Sequence, residues 1–312
     1  MRQIFLAIML GVYMNPIVLE GNDGIPAEGR MNASAFSSGK HFGLWDDDLL
    51  RGELDFIIYL ISRDDYAESL FLLERLQPTG FQLIDSVSYL TGWVLYRQKK
   101  LEASAKSLLQ VRPASPVFHK SHFFGAYNLA HAGKHQQAIS VLNEMPVEPG
   151  TMLEAMQRFQ LGGVSLLKRD FEGYRDQARE FSGDFHVMAQ QESRLGQYYE
   201  QLKHTSPKSP FLAGMMSAAV PGLGRVYAGK PAEGIVSFLY LAAFGFTSYD
   251  FYRGGGLESP LFIISAGVTT IFYAGNIMGS VVAARRVNNE FHYEMDQRIL
   301  FDLHIPLRNA FN

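Results

Sequence analysis

The sequence predicts an all-α protein in which a helical-repeat array precedes a bundle of two to three transmembrane helices. Three observations lead to this prediction. Apolar residues recur at helical spacing from Trp45 to about Tyr199, and this segment repeats itself. The segment Ser209–Ala284 is apolar and rich in glycine. The chain also begins with a short basic start followed by an apolar run, as export signals do.

The overall composition excludes several classes of protein. The chain has 312 residues, of which 28 are basic and 31 acidic, so its formal net charge is −3. There is no global basic field for nucleic acid, and we expect no nucleic-acid partner. Cysteine is absent, which excludes disulfides, thiolate zinc sites and cysteine nucleophiles.

Residues 1–20 are predicted to be a signal peptide, with an uncleaved signal anchor as the alternative. Arg2 precedes the apolar stretch Ile4–Met14, and no clear small-x-small cleavage site follows it. Residues 21–44 are rich in glycine, serine, asparagine and alanine and have little periodicity. They are predicted to be a flexible linker.

Residues 45–205 are predicted to form the helical repeats. In each unit a small residue near the start of the second helix would let two helices approach closely. These repeat-packing residues are spaced 36, 35 and 35 positions apart: Ala67, Ala103, Ala138 and Gly173.

The repeated segment resembles the tetratricopeptide repeat, whose units are helix pairs of about 34 residues. Val87–Arg112 matches best, with Gly92, Tyr96, Ala103 and Pro113 near the family's positions, whereas Gly173 stands where the family has alanine. The resemblance implies a superhelix with a concave surface that binds peptides or protein partners. A compact helical spacer without partners is the alternative.

Residues 206–289 are predicted to be a membrane-embedded helical domain. Pro260–Ala284 has 25 residues without an ionisable side chain, and Gly234–Tyr249 has 16. The stretch Ser209–Gly224 is interrupted by Pro221, and we expect a kinked span there, with a re-entrant element as the alternative. Three spans would put the repeats outside the cytoplasm and the C-terminal tail, residues 290–312, inside it.

A motif lies between the first two uncharged stretches. It has the pattern Pro-Gly-x-Gly-x-x-Tyr-x-Gly-Lys, formed by Pro221, Gly222, Gly224, Tyr227, Gly229 and Lys230. It resembles a small bacterial membrane-domain family of unknown function, related in pattern to two-transmembrane domains. The resemblance implies a structural link between membrane helices and no chemistry.

Two further features are predicted from the C-terminal part. Gly275 and Gly279 form a small-xxx-small pair, and with Asn276 they are expected to pack against a neighbouring helix. Homo-oligomerisation through this pair is the alternative. The tail segment Arg298–Pro306 alternates in polarity, which predicts a strand or a partner-binding segment.

No catalytic, cofactor-binding or metal-ligating residues are predicted, so we expect a protein that is not an enzyme and needs no cofactor. The sequence favours a membrane-anchored adaptor or scaffold that recruits protein partners in the cell envelope, in membrane-protein or envelope assembly. It would lie in the bacterial inner membrane with its repeats in the periplasm. The alternative is a small transporter or lipid-handling protein of the membrane, regulated by its repeats.

Overall fold

The structure is a computed structural model that describes residues 46–76, 81–181, 183 and 185–311. The predicted signal and linker, residues 1–44, lie outside the described residues. Every regular element within the described ranges is an α-helix, which confirms the all-α class. Two of these helices are long and apolar enough to cross a membrane.

Within the described residues from 46 to 204 there are nine helices, and we call them the helical array. Helices that follow each other in the chain pack against each other. Their bounds are α1 Asp46–Ser62, α2 Tyr66–Arg75, α3 Phe81–Arg97, α4 Leu101–Leu108, α5 Phe118–His131, α6 His135–Glu144, α7 Met152–Lys168, α8 Phe171–Ala178 and α9 Ala189–His204.

The same turn recurs inside four successive helix pairs of the array. In each turn one residue has a left-handed backbone, with φ of 62°, 60°, 77° and 64° at Asp64, Lys99, Gly133 and Arg169. In each case the next residue donates its N–H to a carbonyl five residues earlier, as Lys100 does to Leu95 at 2.9 Å. This is the Schellman ending of a helix. These four helix pairs of the described residues therefore share one turn geometry.

The predicted register of the repeat is wrong at three of its four marks, since only Ala138 coincides with the buried position. Ala67 and Ala103 are exposed and hold no helices together, whereas Ala138 is fully buried. The buried position lies five residues after each left-handed residue and is occupied by Ser69, Ser104, Ala138 and Tyr174. Alanine was favoured because of its size, but serine fills the same space when its hydroxyl finds an acceptor.

Ser104 illustrates how such a serine is accommodated. Its hydroxyl donates to the carbonyl of Gly92 on α3 at 2.6 Å and accepts from Asn128 on α5 at 2.9 Å. A side chain on Gly92 would lie 2.5 Å from Leu108, so α3 and α4 are in backbone contact. One buried serine thus joins three helices.

The last four helices are α10 Pro210–Ala219, α11 Leu223–Tyr227, α12 Pro231–Gly255 and α13 Pro260–Phe311. Ser209 caps α10 by accepting from Leu212, and Pro210 stands at the first position, where no N–H is needed. Only 11% and 6% of the most apolar segments of α12 and α13 are buried within the protein. These segments are therefore not the core of a soluble domain, and we call them the candidate spans.

The third predicted span is wrong. Helix α10 has ten residues, which cover about 15 Å and do not reach across a hydrocarbon core of about 30 Å. Pro221 follows it, Gly222 turns the chain with φ of +83°, and α11 leads back. The tyrosine at the end of α11, Tyr227, meets the backbone N–H of Ser209 at the start of α10. The chain therefore leaves this helical hairpin at the end where it entered.

The prediction of a strand in the tail is also wrong, because α13 continues through it without a break to Phe311. Alternating residues in a short segment can also fall at helical spacing. Ile299, Leu303 and Leu307 lie four apart and are fully buried together. The same residues therefore form one face of a helix.

Candidate functional site

One face of the array, formed by α5, α7 and α9, is covered by the chain's own C-terminal helix, and we call it the inner face. We call residues 290–311 of α13 the docked tail, because its buried side chains belong to the same hydrophobic core as the array. A side chain on Gly163 of α7 would lie 2.8 Å from Cγ of Leu303, so only glycine allows this approach. Gln160 donates to the carbonyl of Leu303 at 2.8 Å.

A buried carboxylate fixes the docked tail to α9. Asp302 has an exposure of 0% and accepts from Arg194 at 3.0 Å and from the Tyr198 hydroxyl at 2.7 Å. Burial, followed by the bond to Asp302, raises the pKa of Tyr198 to about 12, so this hydroxyl stays a donor. Both carboxylate oxygens therefore have partners, as a buried charge requires.

Polar contacts flank this ion pair on both sides. Arg169, the left-handed residue of the fourth turn, forms an ion pair with Asp296 at 2.8 Å. Lys120 donates to the carbonyl of Phe311 at 2.9 Å, and its ammonium lies 5.3 Å from the Trp93 ring centroid. Burial lowers the pKa of Lys120 to about 8. The docked tail is thus bound along its length.

His304 of the docked tail lies against three aromatic rings of the array. Its Nε2 is 2.7 Å from the Tyr96 hydroxyl, and the rings of Tyr96, Phe124 and Tyr127 surround it at 5.3–6.2 Å between centroids. Burial lowers the pKa of His304 to about 4, with further lowering by the charges of Arg308 and His131. The docked imidazole is therefore neutral at pH 7.

Acidification is expected to weaken docking of the tail. His304 has a pKa near 6.5 when undocked and about 4 when docked, so protons bind preferentially to the undocked form. The contribution of His304 is complete above pH 6.5 and is lost progressively between pH 6.5 and 4, at about 1.4 kcal/mol per pH unit. Thermal unfolding of the detergent-solubilised full chain between these pH values measures this loss.

His304→Phe is the matched variant for this titration, because it keeps a ring among the aromatic side chains and cannot be protonated. Other histidines of the array titrate in both proteins, so the difference between the two pH profiles isolates His304. We expect the variant to lose less stability on acidification than the natural chain. Parallel profiles would contradict the assignment.

The second part of the candidate site is the helical hairpin of α10 and α11, where three backbones approach each other. A side chain on Gly224 would lie 2.7 Å from the carbonyl carbon of Ala213, and one on Gly222 would lie 2.9 Å from that of Gly234. Gly222 also needs its positive φ. The motif's first two glycines therefore let α10, α11 and α12 touch.

Two serines join this hairpin to α13. The hydroxyls of Ser217 and Ser280 are 2.6 Å apart, and Ser217 also accepts from the N–H of Gly224 at 3.0 Å. Ser280 lies one turn after Asn276 and can donate to its carbonyl at 3.0 Å. These hydroxyls satisfy each other in a part of the chain with few other polar groups.

The remaining motif residues close the hairpin. The Tyr227 hydroxyl accepts from the N–H of Ser209 at 3.1 Å, and Lys208 lies over its ring. Gly229 has φ of +83° and forms the same turn as the array, with the N–H of Lys230 bonded to the carbonyl of Arg225. The Lys230 ammonium is 4.0 Å from Glu233. Each pattern residue of the motif after Pro221 therefore makes a contact or adopts a backbone conformation that the hairpin requires.

The predicted packing pair of α13 is only half right. The space around Gly275 is open, with nothing within 4 Å of an added side chain. A side chain added at Gly279 would lie 2.5 Å from Nη2 of Arg225, so this glycine packs directly against the guanidinium. Asn276 is 5% exposed, and neither of its side-chain polar atoms has a hydrogen-bond partner.

Sequence reasoning did not identify the residues that hold the tail and the hairpin together. They are polar or charged residues inside otherwise apolar faces: Arg194, Arg225, Ser217, Ser280, Asp302 and His304. A signal was present for Asp302, because an acidic residue interrupts the apolar run Ile299–Leu307 on the face that becomes buried.

Comparisons with protein-family models, with curated proteins and with solved structures found no match for this chain. The class of the protein therefore follows from its own structure. It is an all-helical protein with an array of helix pairs and two helices that are long and apolar enough to cross a membrane.

Proposed function

We propose that this chain is a membrane-anchored scaffold of the bacterial inner membrane that recruits protein partners to the cell envelope through a tetratricopeptide-like array. The observation that carries the proposal is the continuity of α13. Its first half is a candidate span, and its second half is the docked tail in the core of the array. One helix therefore joins the array to the membrane without a flexible joint.

This arrangement favours a topology with two spans. Because α10 and α11 return to their starting side, α12 and α13 form the only pair of crossings between the array and the docked tail in the described part of the chain. Array and tail then share one side, and the loop of residues 256–259 lies on the other. The expectation that they lie on opposite sides of the membrane is wrong, since they share a core.

We propose the periplasm as the side of the array, following the predicted export signal. The distribution of basic residues favours the opposite orientation. Arg225, Lys230, Arg285 and Arg286 lie at the array end of the candidate spans, and Arg253 lies at the other end. We give the export signal precedence because the first apolar segment usually sets the orientation of those that follow.

The surface for partners lies outside the inner face, because the docked tail occupies that face. The side chains of Phe56, Tyr59 and Phe71 on α1 and α2 are each about half exposed, at 53%, 55% and 50%. We call them the aromatic patch. Exposed aromatic residues are typical of protein interaction sites. We propose the aromatic patch as the place where a partner binds.

Site-specific photo-crosslinking in whole cells tests the proposal. A photoreactive residue at Phe71 is expected to capture one discrete envelope protein, and the double substitution Phe56→Ser and Tyr59→Ser to abolish its capture. The matched control is the same probe at Glu172, whose side chain is 87% exposed on α8. Equal capture from both positions, or capture that survives the double substitution, would contradict this surface.

Membrane insertion is tested separately by alkaline extraction of the membrane fraction. The full chain is expected to remain in the pellet, because the candidate spans expose their apolar residues to lipid. Release into the supernatant would contradict the membrane-anchored scaffold as a whole.

A further inference from the structure

We propose that Arg225 and Asn276 form a binding site for a phosphate group, supplied by an anionic lipid at the array end of the candidate spans. The site lies between α11 and α13, where the helical hairpin packs against Gly279. The inference rests on the membrane insertion proposed above, and it goes beyond the scaffold role.

The position of Arg225 sets the depth of the site. Its guanidinium lies against Gly279, so closely that a side chain at position 279 would lie 2.5 Å from Nη2. Gly279 is six residues, or about 9 Å, before Arg285, the first charge after the second candidate span. Arg225 therefore lies less than two helical turns from the charged end of the second candidate span.

Arg225 has no counter-ion within the described ranges. No carboxylate of those residues forms an ion pair with it, and its Nε is buried without a hydrogen-bond partner. The nearest acidic residue in sequence, Glu233, faces Lys230 at 4.0 Å. A guanidinium at this depth is costly unless an anion accompanies it. The missing partner must then come from outside the described residues, and we propose an anion from the lipid.

Asn276 supplies the second, independent indication. It is 5% exposed, and both Nδ2 and Oδ1 lack partners. It lies one helical turn before Gly279 and Ser280, on the face of α13 that meets the hairpin. Leaving such an amide unsatisfied destabilises the folded protein. A phosphate oxygen is a suitable acceptor for Nδ2 and for the Nε of Arg225, and a headgroup hydroxyl would donate to Oδ1.

The surrounding charges favour an anion as well. Arg285 and Arg286 are exposed at the same end of the span, and Lys208 is exposed at the start of α10. Basic residues at a membrane boundary attract anionic lipids. Arginine suits phosphate because its planar fork donates two parallel hydrogen bonds.

The test is thermal unfolding of the full chain in nanodiscs of phosphatidylcholine, with and without a minor fraction of phosphatidylglycerol. Phosphatidylglycerol is expected to raise the melting temperature of the natural chain and of Arg253→Gln, the matched control at the other end of the spans. Arg225→Gln is expected to lose this rise, with an apparent lipid affinity lower by about tenfold. An equal rise in Arg225→Gln and in the natural chain would overturn the proposal.

Asn276→Leu keeps the test decisive if Arg225→Gln does not fold. A leucine removes the unsatisfied amide, so a merely structural Asn276 predicts an unchanged lipid response and an unchanged or higher stability. A binding role predicts a reduced lipid response, and an unchanged response would count against it.

Inorganic phosphate added to phosphatidylcholine nanodiscs separates the two sources of phosphate. If phosphate alone raises the melting temperature as much as phosphatidylglycerol does, the site binds the free anion, and the proposal of a lipid ligand is overturned. Release of the chain by alkaline extraction would instead contradict membrane insertion, before any lipid is tested.

Discussion

Replacing Gly224 with alanine is expected to force α10 and α11 apart and to destabilise the membrane-proximal helices by about 3 kcal/mol or more. The new methyl group would lie 2.7 Å from both the carbonyl carbon of Ala213 and the Ser217 hydroxyl oxygen. A backbone carbonyl cannot move aside as the end of a flexible side chain can. Separation would also break the bond from the Gly224 N–H to Ser217.

The measurement is the melting temperature of the full chain in detergent, where this loss corresponds to about 5 °C or more. Gly275→Ala is the matched control, a helical glycine of α13 with open space around it. It is expected to change stability little or to raise it slightly, because alanine favours helix. Similar losses in both variants would contradict the close approach at Gly224.

Arg194→Met is expected to destabilise the docked tail by about 2–3 kcal/mol. The Asp302 side chain is 1% exposed and has two hydrogen-bond partners, Arg194 and Tyr198. The substitution removes the first and leaves only the Tyr198 hydroxyl. A buried carboxylate without a counter-ion lowers the free energy of unfolding by more than the intact ion pair contributes to it. Urea unfolding of the full chain in detergent measures the difference.

A second substitution distinguishes a buried charge from a loss of packing. Asp302→Asn in the Arg194→Met background removes the stranded charge and keeps an acceptor for Tyr198, so stability is expected to rise again by at least about 1 kcal/mol. Arg175→Met is the control, because Arg175 and Glu172 form an exposed pair worth under about 1 kcal/mol. No recovery in the double variant would show that Asp302 is not the cause.

The helical class and the spacing of the array could be predicted from the sequence, because both depend on local patterns. Apolar residues at helical spacing and a turn residue such as Gly133 are visible without any tertiary information. The positions that are buried in each helix pair were harder to predict from the sequence. Ala67 and Ala103 look like packing residues, but Ser69 and Ser104 are the ones that are buried. Hydroxyls are acceptable there only because a partner such as the Gly92 carbonyl lies within reach.

The docked tail could not be predicted in the same way, because its contacts join residues far apart in the chain. Gly163 and Leu303 are separated by 140 positions, and nothing local to either residue indicates the other. The hairpin shows the same limit. A stretch of uncharged residues around Pro221 fits a kinked span or a turn back, and only the contacts between Tyr227 and Ser209 distinguish the two.

These contacts also change where a partner is expected to bind. The resemblance to tetratricopeptide repeats implied a concave surface open to peptides, yet His304 and Leu303 of the chain itself lie there. A partner on the inner face would have to displace a helix that shares the array's core. The aromatic patch on α1 and α2 needs no such displacement.

In the proposed topology the array and the docked tail share one side of the membrane, with the loop between α12 and α13 on the other. The chain has no cysteine, so single cysteines can be placed without background at Glu172, Leu257 and Asn309. Labelling in spheroplasts with a membrane-impermeant maleimide is expected to modify the first and the third equally and to leave Leu257→Cys unmodified. The reverse pattern would keep the two-span hairpin and move the array to the cytoplasm. Labelling of only one of Glu172→Cys and Asn309→Cys would contradict the docked tail.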